Sequence, residues 1–194
     1  MRVDAERNRK RVLKAAMEAF ANEGLSVPVA EIARRAGVGT GTVSRHFPTK
    51  ESLYEAIVLE RVTEIVERAT NLAATRDPGA AFFDFFAYMV GQAAANRGLA
   101  EALSGDGFDI QAAASGTEPD LDGVERDLLM RAQQAGAVRP DVTIADVKAL
   151  IVGCLARERH ALDPEARERM IAIASAGLRA TTPHSTGPDV AGAR

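Results

Sequence analysis

Apolar residues recur three and four positions apart along most of this chain, and nowhere do they alternate with polar ones over the length of a strand. The pattern predicts an all-α protein of about nine helices. A first helix runs from about Arg7 to Asn22, with Val12, Ala16, Ala19 and Phe20 on one stripe and Leu13 and Met17 beside it. Gly24 stops it. A short second helix covers about Pro28 to Ala36, the proline standing where a missing N–H costs nothing. A third runs from about Gly39 to Phe47, before Pro48. Thr49 can cap a fourth from Lys50 to about Ala74, with Leu53, Ile57, Val58, Ile65 and Leu72 along its stripe.

Asp77-Pro78-Gly79 reads as a break. A strongly apolar helix at 80–95 follows, carrying Phe82, Phe83, Phe85, Phe86, Tyr88 and Met89. Residues 104–120 are rich in Gly, Ser, Asp and Pro and read as a mobile loop around a short helix at 108–114. Further helices are predicted at Leu121–Ala135, from Ile144 to about His160, and from Asp163-Pro164-Glu165 to about Ala180. The tail from Thr181 has no apolar stripe and is expected to be disordered. This division gives a head at 1–50, a connecting fourth helix at 50–74, a body at 75–180 and a tail at 181–194.

Residues 29–47 combine features that are individually weak and together specific for a helix-turn-helix. Two helices that cross closely need a small contact residue, which Ala33 supplies. A tight turn between them needs a residue tolerant of positive φ, which Gly37 supplies. Ile32, Ala36, Val38 and Val43 are placed to anchor the pair. The outer face of the second helix carries short polar groups and donors: Thr40, Thr42, Ser44, Arg45 and His46.

The run Glu31-Ile32-Ala33-Arg34-Arg35-Ala36-Gly37-Val38, with Gly41-Thr42-Val43, His46-Phe47 and Lys50-Glu51-Ser52-Leu53, resembles the N-terminal domain of the tetracycline-repressor (TetR) family over roughly residues 8–60. The resemblance implies a homodimeric transcriptional regulator, most simply a repressor on a palindromic double-stranded DNA operator, controlled by a small effector bound in the body. It implies that Thr40, Gly41 and Ser44 lie along base edges, and that Thr42, His46 and Lys50 contact phosphate. Position 44 is often Tyr in the family and is Ser here, so a contact is lost or moves to Arg45. Position 40 is often Lys or Gln and is Thr here, which is weakly selective among bases. The operator therefore does not carry over from relatives. His46 has an alternative role in packing beneath the third helix. The basic residues Arg2, Arg7, Arg9, Lys10 and Arg11 read equally as a phosphate-binding arm and as a frayed terminus. Arg34 and Arg35 read as a solvated face.

Charge distribution changes the picture further. The net charge is −3, yet residues 1–50 carry ten Lys/Arg against five Asp/Glu, leaving fourteen against twenty-two in the rest. A basic head on an acidic body presents one face to phosphate. The start lacks the apolar stretch of a signal peptide and no run is long enough to span a bilayer, so a cytoplasmic protein without membrane contact is expected. Gly37-Val-Gly39-Thr-Gly41 lacks the strand that a nucleotide-binding loop requires. One cysteine and three scattered histidines suggest no metal site, no cofactor is expected, and no catalytic constellation is signalled. Cys154 reads as a packing residue.

In the body, Val147, Leu150, Ile151 and Cys154 of one helix and Met170, Ile173, Ala174 and Leu178 of the next are expected to form a dimer interface of two helices per subunit. Phe82 and Phe86, with Met89, Leu103, Phe108 and Leu128, are open to two readings: ordinary core, or the wall of a pocket for a largely apolar effector. Two competing functions stand beside the regulator. One is a helical small-molecule-binding protein or enzyme with a vestigial head. The other is an architectural DNA binder without sequence preference.

Overall fold

The computed structural model describes residues 2–105, 107–109, 113, 119–156 and 163–180. These fold into nine helices: α1 (Arg2–Glu23), α2 (Val29–Ala36), α3 (Thr40–His46), α4 (Lys50–Thr75), α5 (Pro78–Ala95), α6 (Arg97–Gly105), α7 (Leu121–Gln134), α8 (Ile144–Leu155) and α9 (Pro164–Leu178). No extended strand occurs among the described residues. A single antiparallel bridge joins Val138 to Arg179, through Arg139 N–H to the Leu178 carbonyl and Ala180 N–H to the Ala137 carbonyl.

Most helix boundaries follow from their caps. Thr49 accepts from the Ser52 N–H while the Ser52 hydroxyl receives the Thr49 N–H, a reciprocal box that opens α4. Thr143 and Asp146 do the same for α8. The Asp77-Pro78-Gly79 run starts a helix rather than merely interrupting one: Asp77 accepts from the Ala80 N–H, and Pro78 occupies the first turn. Helix α1 begins at Arg2, earlier than Arg7, because residues 2–6 contain no breaker and Arg7 pairs with Asp4 one turn back. Helix α6 was not foreseen. It starts two residues after α5 ends and occupies part of the stretch expected to be loop. The expected short helix at 108–114 falls almost entirely outside the described residues, as do the tail at 181–194 and residues 157–160 of the predicted eighth helix.

Two apolar clusters hold the protein together. The first joins α1, α2 and α3 to the N-terminal half of α4 through Leu13, Phe20, Ile32, Val43, Tyr54 and Ile57, and takes in Leu99 and Leu103 of α6. Within it Phe20 and Tyr54 meet edge-to-face at 5.6 Å, and Tyr54 meets Phe108 the same way at 5.6 Å. The second joins α5, α7, α8 and α9, with Phe82, Phe86, Leu128, Ile151 and Leu178 buried together, and takes Ala69 and Leu72 from the far half of α4. Helix α4 thus contributes to both clusters. Full burial of one such Leu, Ile or Phe side chain stabilises by about 1.5–3 kcal/mol, so neither end of α4 moves without disturbing one of the clusters.

Helices α7 and α8 are also tied by charge. Lys148 Nζ lies 2.7 Å from Asp122 and 3.2 Å from Glu125 Oε2. Burial pushes the Glu125 carboxyl above its ordinary range, and the Lys148 charge opposes that shift. Cys154 is buried, and desolvation raises its thiol pKa, so it is a packing residue rather than an exposed thiolate.

Candidate functional site

The turn between α2 and α3 is built around Gly37, which sits at φ 63°. Its N–H bonds to the Arg34 carbonyl at 3.1 Å, and the Val38 N–H bonds to the Ala33 carbonyl at 3.0 Å. This is a Schellman closure, and it needs the left-handed backbone that glycine adopts without strain. Ala33 is buried where α2 meets its neighbours, as its small size requires. Val43 and Phe47 anchor α3 into the head cluster.

With Val43 inward, the rest of α3 faces out. Thr40, Gly41, Ser44 and Arg45 are exposed, and Thr42 and His46 are half-buried. Of the seven residues proposed from sequence for DNA contact, five are exposed and two half-buried, six on α3 and the seventh, Lys50, at the start of α4. Lys50 is exposed, but its Nζ already donates to the Leu25 carbonyl at 3.2 Å, which ties α4 to the loop after α1. An ammonium has three N–H donors, so the anchored lysine keeps capacity for a phosphate. His46 lies beside Phe47, with ring centroids 6.1 Å apart.

Two of the basic N-terminal residues are held by the rest of the head. Arg9 stacks over the Phe47 ring at 5.8 Å and pairs with Glu60 at 3.7 Å, and Arg11 donates to the Gly37 carbonyl. Both belong to the scaffold of the head. Arg34 and Arg35 are engaged with carboxylates as well: Glu31 accepts from both, and Glu23 accepts from Arg35. Hydrogen bonds from Arg34, then Arg35, hold the Glu31 carboxyl down at about 2. Sequence reasoning missed the partners of Arg9 and Arg11 and the Arg35–Glu23 pair because groups twelve or more residues apart leave no local pattern, whereas Glu31 pairs with Arg34 and Arg35 at the local helical spacing of three and four.

In the body, the six residues offered for an effector pocket do not line one space. Phe82, Phe86 and Leu128 are buried in the second cluster, while Leu103 and Phe108 belong with the first. An open-sided apolar groove of about 220 Å³ does exist between α4, α5 and α6. Met89 and Leu103 line it, together with Ile57, Val58, Val62, Ile65, Ala93, Leu99 and Ala100. Its polar neighbours are Arg61, Gln92 and Asn96. Ile57, Val58, Val62 and Ile65 of α4 and Leu99 and Ala100 of α6 were not foreseen; α6 had not been recognised as a helix.

The residues offered for a dimer face divide similarly. Val147, Ile151, Cys154 and Leu178 are buried within the subunit, packed on α5 and its neighbours, and are not available on the outer surface. Leu150, Met170 and Ala174 are half-buried. Ile173 remains outside at 65% exposure, and Val152, which the sequence stripe did not include, is 70% exposed. Around them lie Ala149, Gly153, Ala156, Ala176 and Gly177, all exposed. A Cβ added at Gly153 or Gly177 would meet nothing within 4 Å.

Comparisons with known proteins converge on this architecture. Residues 12–57 match the family model for bacterial regulatory proteins of the tetR family. Residues 77–180 match the model for the C-terminal domain of SbtR-like transcriptional regulators. A solved TetR transcription regulatory protein from Mycobacterium vanbaalenii is 46% identical with a TM-score of 0.73, covering 92% of this chain and 98% of its own. The TetR transcriptional regulator SCO0520 from Streptomyces coelicolor is 30% identical with a TM-score of 0.70, covering 90% and 99%. The HTH-type transcriptional regulator UidR of Escherichia coli K12 is 27% identical over 162 residues, 78% of this chain and 80% of UidR. Among the described residues no helix is long and apolar enough to cross a membrane, and no group of His, Cys, Asp and Glu is arranged to hold a metal ion.

Proposed function

The chain belongs to the TetR family of bacterial transcriptional regulators, and on that premise we propose that it is a homodimeric repressor that reads a palindromic operator with α3 and is released by a small, largely apolar effector. The observation that carries this reading is the disposition of α3. A short helix is pinned by Val43 and a glycine turn, with Thr40, Gly41, Ser44 and Arg45 turned outward. Phosphate contacts from Thr42, His46 and Lys50 would set register, and Thr40, Gly41, Ser44 and Arg45 would meet base edges. Short hydroxyl side chains discriminate weakly, so Arg45 is the residue of this set best equipped to choose a base.

The exposed face of α8 and α9 around Val152 and Ile173 supports pairing of two subunits. Two large apolar side chains amid alanine and glycine permit close helix approach, and the described residues leave both exposed. A symmetric pair would set two recognition helices about 34 Å apart, one turn of duplex.

Helix α4 supports effector control. Its first half packs with the head, its second half with the body, and its middle lines the open apolar groove. A ligand that favours one setting of α4 would change the separation of the heads. A hundredfold loss of DNA affinity needs only about 2.7 kcal/mol of such coupling.

Selection of bound sequences from random duplexes tests the proposal. Recovery of a two-fold symmetric sequence with half-sites one helical turn apart is the expected result. Salt-sensitive binding to every duplex alike would instead mean an architectural binder, and no binding would mean a vestigial head.

A further inference from the structure

Helix α3 turns about 100° per residue, so its outward face can be ordered from the position of its buried anchor, Val43. Gly41 and Arg45 each lie about 160° from Val43 and form the row farthest from the scaffold. Thr40 and Ser44 flank that row on one side and are exposed; Thr42 and His46 flank it on the other and are half-buried. Arg45 leans back toward the start of α3, as long helical side chains do. A Cβ at residue 41 would stand 3.6 Å from Arg45 Nη2, so the guanidinium lies over Gly41. Arg45 also differs from the other arginines of the head in what it touches. Arg7 pairs with Asp4, Arg9 with Glu60, Arg34 with Glu31, and Arg35 with Glu23 and Glu31, while Arg11 donates to the Gly37 carbonyl. Among the described residues Arg45 has neither a hydrogen bond nor an ion pair, and all its N–H donors are available. Resting on the reading that α3 enters the major groove of duplex DNA, we propose that Arg45 reads one guanine in each half-site, and that residue 41 is glycine so that the guanidinium can lie across it.

The chemistry of the donor narrows the base. A guanidinium donates and never accepts. On the major-groove edge only guanine offers two neighbouring acceptors, N7 and O6; adenine and cytosine present an amino donor, and thymine sets one acceptor beside a methyl group. Phosphate is the competing acceptor, but phosphates line the rims of the groove. The flanks of α3 and the start of α4 approach those rims, whereas the row opposite Val43 faces the base edges. Glycine is a poor helix former, so its place in that row calls for a reason. The contact with Arg45 supplies one: alanine at 41 would keep an ordinary van der Waals distance to the guanidinium, while a longer side chain would compete for the space it occupies. Gly41 is thus a positioning residue that acts through Arg45.

Base analogues test the pair directly. The full-length protein is titrated with the duplex selected from random sequences. It is then titrated with versions in which each guanine of the half-site is replaced in turn by 7-deazaguanine, which lacks the N7 acceptor, or by inosine, which keeps N7 and O6 and lacks only the minor-groove amino group. One position is expected at which 7-deazaguanine weakens binding by about threefold or more, inosine changes nothing, and an A·T pair weakens binding by about 5- to 150-fold. Arg45→Ala is expected to bind the guanine and 7-deazaguanine duplexes equally. Gly41→Leu is expected to do the same at low salt, where phosphate contacts alone keep the duplex bound, while Gly41→Ala retains the discrimination. Thermal melts check that the variants fold. A half-site without guanine, 7-deazaguanine tolerated at every guanine, a loss with inosine in its place, or an Arg45→Ala protein that still discriminates would overturn the guanine assignment and leave a sequence-specific regulator standing. Undiminished discrimination in Gly41→Leu would overturn the role given to Gly41. Equal binding of every duplex by the wild type would overturn the reading of α3 on which both rest.

Discussion

Arg11 Nη2 donates to the carbonyl oxygen of Gly37 at 3.4 Å, so the first helix of the head holds the turn that aims the recognition helix. The contact joins residues 26 positions apart and explains why a basic residue near the N-terminus belongs to the scaffold rather than to the DNA contacts.

Gly37→Ala is the substitution most damaging to this arrangement. A Cβ at residue 37 would run into Arg11 Nη2, but that is the end of a flexible side chain and can swing aside at the cost of its hydrogen bond. The backbone term dominates, because φ 63° strains any residue with a Cβ by about 1–3 kcal/mol. In a chain of this size the melting temperature should fall by about 2–10 °C, read by circular dichroism. DNA affinity should fall further than stability accounts for. An unchanged melting curve would show that the turn tolerates alanine.

Acid should loosen the head through Glu31. Its carboxyl is held at about 2 by Arg34 and Arg35, against an ordinary value near 4.5. A depressed folded-state pKa means that the unfolded chain binds the proton first. The stabilisation is therefore fully present above pH 4.5 and is lost as pH falls toward 2. Glu31→Gln should flatten the urea midpoint of the head across that window, and 1 M salt should flatten it in the wild type, because the pair is solvent-exposed. Identical pH profiles for wild type and variant would exclude this source of acid sensitivity.

Val152→Glu should separate the subunits without unfolding them, since Val152 is 70% exposed within one subunit. Sedimentation at micromolar concentration should show a monomer with an unchanged helical spectrum and DNA affinity reduced by at least about tenfold, because one head makes few contacts. Ile151→Glu, by contrast, buries a charge in the second cluster and should unfold the body. A dimer that persists in Val152→Glu would move the interface elsewhere.

The head was legible because its constraints are local. A small residue at the crossing, a glycine at positive φ and an apolar anchor all lie within the fifteen residues from 29 to 43, and each has a geometric reason. Helix α6 was hidden because its inward stripe is only Leu99 and Leu103, too short for a period, and because no Pro or Gly separates it from α5. The outer face of α8 and α9 was misread for the opposite reason. The strongest apolar stripe, Val147 with Ile151 and Cys154, is taken by the core of the subunit itself, while the outward face is mostly alanine and glycine around one valine and one isoleucine. Such small residues carry almost no hydropathy signal. The aromatic run of α5 was ambiguous because phenylalanines lie on more than one face. Phe82, Phe85 and Phe86 are buried in the core, while Phe83 is half-buried and capped by the Arg179 guanidinium at 4.2 Å.

The central claim is that α3 chooses the sequence and the start of α4 only holds the backbone. Shift assays at fixed salt, with a selected duplex and its shuffled counterpart, separate these roles when run on Arg45→Ala, Thr40→Ala and Lys50→Ala. The account predicts that Lys50→Ala weakens both duplexes by a similar factor, while Arg45→Ala and Thr40→Ala narrow the gap between them, by about 1–3 kcal/mol for the arginine. Wild-type protein that binds both duplexes equally, or an Arg45→Ala variant with undiminished preference, would contradict it.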